Sequence, residues 1–420
     1  MPLPIDRLYR RLRQTGVARF MYQFGEAYPD SHLKDLVVDD CGPGRLVEIN
    51  GQSVVNFGSD SFLGLDQHPA ILAALHSGIE KWGAHNGTSR AFASVRANVE
   101  AEEKIAAWLG TEAALIYPSV TLANAGAIPG LVTKADVIVA DEYAHNSIHE
   151  ANKVAKANGS RVFTFRHNDV ADLERALAAA KPYRSALVTI DGVYSMSGRL
   201  PPLPAMHAVA RDCEAVLYVD DAHGTGVFGD HGRGTVYENL GTYDNTFVAG
   251  SLSKALSCFG GFVGCSKGFQ ELLKIRSNSY IFGGPAPPCY LEAVCAAVDI
   301  LQSAEYPVLK QRLTENLDCL VSGVEALGLT VLGGLTPIVS VLVGDEGDTL
   351  RAGRFLFDRG YYIQSVTFPA VPYRAGVLRI QVNSNHTLAQ VNGLLDALGE
   401  LREVVRLPAP EADVALHQAA

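Results

Sequence analysis

The sequence predicts an α/β protein with a mostly parallel central sheet flanked by helices and a smaller α/β domain at its C-terminal end. Two observations support this prediction. Short apolar runs alternate along the chain with stretches in which apolar residues recur every three or four positions, which is typical of β-α-β units. Most of the apolar runs are also continuous, as expected for strands buried on both faces of a parallel sheet.

The predicted elements follow in chain order. Seven apolar runs are predicted to be strands, over residues 113–117, 137–140, 161–165, 186–190, 215–219, 246–249 and 261–265. Helices are predicted between the strands, with clear periodicity over 99–109 and 169–180.

The character of the chain changes after the proline-rich stretch 285–288. One long helix is predicted over about residues 289–327, and a mixture of shorter strands and helices follows it. We therefore expect an N-terminal segment over 1–58, a large domain over 59–300 and a small C-terminal domain over 301–420.

The composition excludes several classes of protein. The 420 residues include 35 Lys and Arg against 45 Asp and Glu, and this net charge of −10 argues against a nucleic-acid-binding protein. No stretch approaches the roughly 20 apolar residues that cross a bilayer, and the first residues lack the apolar core of a secretory signal. The seven cysteines form no CxxC pair and are predicted to be reduced. We expect a soluble cytoplasmic protein.

One lysine lies among small residues shortly after a predicted strand. It is Lys254, in the segment AGSLSKALSCFGGFVGC over 249–265. Upstream, AVLYVDDAHGTG over 215–226 contains a buried strand followed by Asp220 and His223. Ligands bind at the carboxyl ends of the strands in open parallel sheets, so these side chains are predicted to meet there.

Two further strand ends carry polar side chains. DEYAHNSIH over 141–149 contains His145, and TIDGVYSMSG over 189–198 contains Ser195. A set of Lys, Asp, His and Ser suits pyridoxal 5′-phosphate (PLP). This cofactor needs a lysine that binds it covalently, a carboxylate that pairs with its ring nitrogen, and donors for its phenolic oxygen and phosphate. The residues therefore predict a PLP site.

Other motifs do not support a different site. His145 and His149 have the i, i+4 spacing of a metal-binding pair, but no HExxH motif and no nearby third ligand supports zinc. GTGVFG over 224–229 fits GxGxxG, yet DHGRG follows it where a dinucleotide site needs a helix. WGAHNGTSR over 82–90 lacks the GK[ST] of a phosphate-binding loop. We expect no metal and no dinucleotide.

Several segments together resemble the α-oxoamine synthases, which are fold-type I PLP enzymes. The similar segments are NFGSDSFLGL at 56–65, HND at 167–169, VDDAHGTGVFG with GRG at 219–234, SLSKA at 251–255, TPI at 336–338 and FPAVPYRAGVLRIQVNSNHT at 368–387. The resemblance covers about residues 45–400. It implies a fold-type I architecture, PLP as the cofactor and a homodimer with shared active sites.

The resemblance implies roles for the residues around the cofactor. Lys254 matches the lysine that binds PLP and later moves the α-proton of the substrate, and Asp220 matches the acid that pairs with the pyridine nitrogen. His223 and Ser195 match residues that reach the phenolic oxygen. His145 matches the imidazole that stacks on the ring.

The resemblance also implies how the phosphate is held. Ser251 is expected to bind it, together with backbone N–H groups at Val120 and Thr121 near a helix start. The partner subunit's Gly283 and the partner subunit's Gly284 are expected to complete the phosphate site.

The expected substrate contacts are fewer. Arg379 matches the arginine that pairs with the amino acid carboxylate, a contact that a guanidinium makes in bidentate fashion. Ser89 is expected to contact the substrate as well. Asn98, the phosphate-binding turn and the segment FGGPAPP over 282–288 depart from the usual pattern of the family.

These residues predict an enzyme that condenses an amino acid with an acyl thioester, loses carbon dioxide and forms an α-amino ketone. An aminotransferase or retro-aldol enzyme needs the same lysine and aspartate and remains an alternative, as does a non-catalytic partner subunit. The acyl group is expected on coenzyme A or on an acyl carrier protein. The basic cluster RLYRRLR at 7–13 is either a carrier docking site or a solvated helix face.

Overall fold

The computed structural model describes residues 3–30 and 36–408. The strands are β1 (Val38–Cys41), β2 (Leu46–Ile49), β3 (Gln52–Asn56), β4 (Ala113–Tyr117), β5 (Val137–Asp141), β6 (Arg161–Phe165), β7 (Ala186–Asp191), β8 (Ala215–Asp220), β9 (Thr246–Ser251), β10 (Gly261–Cys265), β11 (Val331–Leu332), β12 (Ile338–Gly344), β13 (Tyr361–Tyr362), β14 (Gln364–Val366) and β15 (Gly376–Gln381). The α-helices are α1 (Pro4–Arg13), α2 (Gly16–Ala27), α3 (Pro69–Trp82), α4 (Arg96–Leu109), α5 (Val120–Leu131), α6 (Asn146–Ala157), α7 (Val170–Ala179), α8 (Leu203–Asp212), α9 (Thr235–Leu240), α10 (Lys267–Arg276), α11 (Asn278–Phe282), α12 (Pro288–Leu301), α13 (Glu305–Ala326), α14 (Glu346–Asp358) and α15 (Leu388–Glu400).

The described chain divides into two compact units. The central unit comprises residues 60–315 and 383–385, and the N/C unit comprises the chain up to Ser59, Asn316–Val382 and the chain from His386. The division after residue 315 falls within α13. The domain boundaries expected from the sequence, at residues 58 and 300, stay predictions.

The central unit contains a seven-stranded sheet in the order β4-β10-β9-β8-β7-β5-β6. Strands β5 to β9 run parallel, whereas β10 is antiparallel to both of its neighbours. Every residue of β4, β5, β7 and β9 is buried, as continuous apolar strands require when both faces of a sheet are covered. The predicted α/β class is confirmed, and all seven predicted strands are present with ends extended by up to two residues.

Lys254 lies on the short connection between β9 and β10. Residues 252–260 join these strands without a helix. Two antiparallel neighbouring strands can be joined by a short loop, whereas two parallel strands need a long crossover connection. The N–H of Leu252 donates to the carbonyl of Gly260 at 3.0 Å, which closes the base of the loop. The sheet therefore fixes both ends of the segment that carries the lysine.

The prediction of one long helix over 289–327 is wrong, because the chain forms two helices there, α12 and α13, with a break between them. Pro307 lies in the first turn of α13. Proline has no N–H, and its ring clashes with the carbonyl four residues earlier, so a helix cannot continue through this point. The N–H of Glu305 instead donates to the Ser303 hydroxyl at 3.1 Å.

The N/C unit contains two four-stranded sheets, in the orders β1-β2-β3-β13 and β11-β12-β15-β14. Residues Leu350 and Leu356 of α14 and Leu394 of α15 are buried. Helices α1 and α2 contain no buried residue. Among the described helices, none combines the length and the apolar character needed to span a membrane.

Candidate active site

A cavity of about 190 Å³ lies at the carboxyl ends of strands in the central sheet. Asp191, Asp220 and Ser251 are the last residues of β7, β8 and β9 and line it. His145, which caps α6 after β5, lines it too, as does Lys254. Residues far apart in the sequence therefore meet because parallel strands end on the same edge of the sheet.

A larger cavity of about 330 Å³ lies at the opposite end of the same strands, beside Val216 and Thr246. None of the predicted site residues lines it. The chemistry-bearing side chains are therefore collected in the smaller cavity.

Lys254 and His223 are in direct contact. The Lys254 Nζ atom lies 2.5 Å from His223 Nε2. An ammonium can only donate, so Nε2 accepts and the ring proton is carried by Nδ1. That atom lies 4.0 Å from the Asp60 carboxylate, which attracts the proton. The lysine nitrogen is thus held in the cavity by an imidazole that can exchange a proton with it.

The Asp220 carboxylate is fixed by a chain of hydrogen bonds. Asn124 Nδ2 donates to Asp220 Oδ2 at 2.6 Å, and the N–H of Ala222 donates to Oδ1 at 3.2 Å. The Tyr218 hydroxyl donates to Asn124 Oδ1 at 2.8 Å, and Asn124 Nδ2 lies 2.8 Å from Ser147 Oγ. The amide of Asn124 is therefore held from both ends, and it orients the carboxylate.

His145 is bound at its backbone and at its ring. Its N–H donates to Asp191 Oδ1 at 3.0 Å, and its Nδ1 lies 2.7 Å from Ser147 Oγ. Burial lowers the pKa of His145, the Asp220 carboxylate opposes this effect, and Lys254 adds to it. A pKa below the usual value of about 6.5 favours the neutral ring at neutral pH, and a neutral imidazole can stack on an aromatic ring.

Two further carboxylates are buried beside Asp220. Asp191 lies opposite Asp220 in the register of β7 and β8. Burial, and then the charge of Asp220, raise the pKa of Asp191 well above its usual range. Burial also raises the pKa of Asp221 to about 7, although hydrogen bonds from Thr235 oppose the shift. Loss of the proton from Asp191 is therefore harder than from an exposed carboxyl group.

The start of α5 also provides donors to the cavity. Ser119 caps this helix, because its hydroxyl accepts from the N–H of Leu122 at 3.1 Å. The first N–H groups of a helix lack intrahelical acceptors and suit an anion, and Val120 and Thr121 line the cavity at this point. Gly261 keeps the turn accessible, since a Cβ there would lie 2.6 Å from the Val120 nitrogen.

Serine hydroxyls stand near these backbone groups. Ser251 Oγ lies 3.2 Å from Ser253 Oγ, and both residues line the cavity. The cavity thus offers a lysine, a carboxylate, serine hydroxyls and a helix start. This donor set fits PLP, which has an aldehyde, a basic ring nitrogen and a phosphate.

Seven of the predicted residues line this cavity: Lys254, Asp220, His223, His145, Ser251, Val120 and Thr121. Ser195, half-buried on the loop after β7, does not line it. Gly283 and Gly284 are exposed at the end of α11. Ser89 Oγ donates to the Ile281 carbonyl at 2.8 Å. Arg379, in the N/C unit, is buried in β15 and donates to Gln364 Oε1 at 2.7 Å.

Four residues that contact the site were not predicted from the sequence: Asn124, Ser147, Asp191 and Ser253. Asn124 could have been identified from the sequence, because it is the one amide side chain in the largely apolar helix VTLANAGAIPGL. A buried amide requires hydrogen-bond partners, so its presence there indicates a polar contact inside the fold.

Comparison with known proteins agrees with this fold and site. Residues 52–398 match the family of class I and II aminotransferases. The chain is 36% identical to a putative 8-amino-7-oxononanoate synthase of Desulforudis audaxviator, over 87% of this chain and 94% of that protein. It is also 36% identical to the 8-amino-7-oxononanoate synthase of Geobacter sulfurreducens, over 85% of this chain and 91% of the relative.

Solved structures give the same result. Serine palmitoyltransferase from S. paucimobilis, with a PLP–myriocin aldimine bound, superposes with a TM-score of 0.86 at 28% identity, over 91% of this chain and 96% of that one. Serine palmitoyltransferase from Sphingomonas wittichii gives a TM-score of 0.87 at 26% identity, over 94% and 99% of the two chains.

The fold and the cavity thus define a PLP-dependent transferase of fold type I. The chain belongs to the aminotransferase class I and II family and, within it, to the α-oxoamine synthases. The predicted family, cofactor and enzyme class are therefore confirmed. The roles of the individual site residues stay predictions.

Proposed function

We propose that this protein condenses an amino acid with an acyl thioester, releasing carbon dioxide and a thiol and forming an α-amino ketone. The observation that carries the proposal is the meeting of Lys254, His223, Asp220 and His145 in one cavity. A scaffold subunit has no need of this set. The relatives described above support the same reaction class.

The lysine and the histidine act on protons. PLP, when bound, supplies an electron-withdrawing ring that stabilises negative charge at the α-carbon of the amino acid. Lys254 Nζ takes the α-proton as a free amine, and His223 Nε2, 2.5 Å away, is placed to relay a proton. His223 then donates to the oxygen of the thioester carbonyl as charge develops there.

The other residues bind and orient. Asp220, held by Asn124, pairs with the ring nitrogen, and the neutral ring of His145 covers one face of the cofactor. The helix start at Val120 and the hydroxyl of Ser251 hold the phosphate. These roles leave Lys254 and His223 as the groups that move protons.

Arg379 is proposed to bind the carboxylate of the amino acid. It is buried in β15, and its guanidinium is oriented by Gln364 Oε1 at 2.7 Å. A guanidinium matches a planar carboxylate in bidentate geometry, and the contact with Gln364 orients this one. Ser195 and Ser89 are proposed to assist in cofactor and substrate binding respectively.

The protein is further proposed to act as a cytoplasmic homodimer. Phe92 and Phe282 are 90% and 80% exposed, and Phe282 directly precedes the two glycines expected to reach the other subunit. Burying such side chains against a second copy removes apolar surface from water. The seven cysteines are all unpaired thiols, as is usual in a reducing compartment. Phe282→Ser is expected to yield monomers in light scattering, and unchanged mass would contradict this interface.

Product analysis tests the reaction. The purified protein, reconstituted with PLP, is mixed with each common amino acid and with an acyl group supplied in parallel on coenzyme A and on a carrier protein. Release of carbon dioxide and of thiol in equal amounts is expected for the correct pair. A keto acid formed without any thioester would instead identify an aminotransferase.

Lys254→Ala tests the central residue. The variant is expected to fold, to lose the visible absorption of PLP bound through Nζ, and to release no thiol. Lys153→Ala, which removes a 70% exposed lysine, is the matched control and should behave as the unmodified protein. Full thiol release by Lys254→Ala would refute the proposed role.

A further inference from the structure

Helix α1 is divided into an apolar face and a basic face. With about 100° between successive residues, its large apolar side chains fall within one arc of about 100°. These side chains are Ile5, Leu8, Tyr9 and Leu12. All four arginines lie on the remaining surface, and these are Arg7, Arg10, Arg11 and Arg13.

The apolar face of α1 is exposed. No residue of the helix is buried, and the exposed fractions of Ile5, Leu8, Tyr9 and Leu12 are 70%, 46%, 52% and 52%. A helix face that only meets water is normally polar. Within residues 3–30 and 36–408, the four side chains are thus only partly covered, although their composition is that of a buried helix face.

The charge of α1 opposes that of the whole chain. The protein has a net charge of −10, but α1 carries four arginines and one acidic residue, Asp6. The Asp6 carboxylate accepts from the N–H of Leu3 at 3.1 Å, at the helix start. Arg13 pairs with Glu26 at 2.9 Å. The basic charge is therefore concentrated beside the apolar face.

The arginines flank the apolar face on both sides. Arg7 and Arg11 lie beyond the border formed by Leu8, and Arg10 and Arg13 lie beyond the border formed by Tyr9. An acidic patch on a protein would meet one border. A flat anionic surface into which the apolar face inserts presents negative charge along both borders at once. The arginines on both sides of the apolar face match such a surface.

We propose that α1 docks this protein on a membrane surface of anionic phospholipid. The apolar side chains enter the boundary between headgroups and acyl chains, and the arginines remain among the phosphates. The helix lies on the membrane and does not span it. Docking is separate from catalysis, since no residue of α1 lines the cavity that holds Lys254.

Vesicle sedimentation tests the proposal. The full-length protein is expected to sediment with vesicles of phosphatidylcholine that contain phosphatidylglycerol, and to remain in solution with pure phosphatidylcholine. Leu8→Asp with Leu12→Asp should lower the bound fraction by about tenfold or more. Replacing Arg7, Arg10 and Arg11 by Gln should have a similar effect, and raised salt should weaken binding of the unmodified protein.

Ile275→Asp is the matched control, because Ile275 is 75% exposed on helix α10 and is also apolar. This variant should bind vesicles normally. Turnover of soluble substrates should be unchanged in every variant, so loss of docking is separable from loss of the proposed reaction. Since α1 contains no buried residue, its variants are expected to fold.

Three results would overturn the proposal. One is equal binding to vesicles with and without phosphatidylglycerol, or no binding to either. Another is a change of oligomeric mass in the Leu8→Asp, Leu12→Asp variant, which would assign the face to a second copy of the chain. The third is binding of an acidic acyl carrier protein that the same substitutions abolish while vesicle binding persists.

Discussion

Asn124 is expected to be essential for cofactor binding although it is not itself a reactive group. Asn124→Ala removes the 2.6 Å hydrogen bond to Asp220 and leaves the hydroxyls of Tyr218 and Ser147 without this partner. A hydrogen bond to a charged group contributes about 1.5–3 kcal/mol. Since about 1.4 kcal/mol corresponds to a factor of ten, the affinity for PLP should fall about 10- to 100-fold.

Equilibrium dialysis against PLP measures this change directly, and urea unfolding of the cofactor-free protein measures the accompanying loss of stability, about 1–3 kcal/mol. Asn152→Ala is the matched control, because Asn152 is also a buried helical asparagine but its amide atoms contact no hydrogen-bond partner among the described residues. An Asn124→Ala protein with the PLP affinity of the unmodified chain would refute the argument that the amide orients Asp220.

Two further predictions concern buried charge. Glu102→Ala leaves the Arg90 guanidinium buried without its 2.5 Å partner, so the unfolding free energy should fall by about 3–5 kcal/mol, whereas Glu150→Ala in an exposed pair should change it by less than about 0.5 kcal/mol. Because burial raises the pKa of Asp221 to about 7, the folded chain binds this proton more tightly than the unfolded chain. Stability should therefore fall as pH rises from about 4 to about 7, and Asp221→Asn should flatten that slope in urea unfolding at several pH values.

The strands were predictable because burial on both faces of a sheet demands continuous apolar residues. The chain from 113 to 265 contains such runs at most strands of the central sheet, although the edge strand β6, RVFTF, is only partly buried. The antiparallel direction of β10 could not be obtained from its composition, because GFVGC is as apolar as a parallel strand. The break between α12 and α13 was predictable in principle, since Pro307 cannot lie deep within a helix.

Site residues that act on the cofactor could be predicted from the sequence. Site residues that act only on another side chain could not. Lys254 and Asp220 are single residue types that the chemistry requires at or just after strand ends, so their positions indicated them. Asn124 and Ser147 matter only through the atoms they contact. The Asn124 amide donates to Asp220, 96 positions further along the chain, and to Ser147, 23 positions further along. Such partnerships depend on how helices pack, and no local pattern encodes them.

The cavity draws its lining from five separate segments, between Ser119 and Lys254. No partly folded chain can assemble these segments at once, so a cofactor held there binds the native state alone. Mass action then couples occupancy to conformational stability: at a cofactor concentration 100 times the dissociation constant, the native state gains about 2.7 kcal/mol. The melting temperature of this protein should accordingly rise with PLP concentration, so that supply of the cofactor governs the stability of the folded chain as well as its activity.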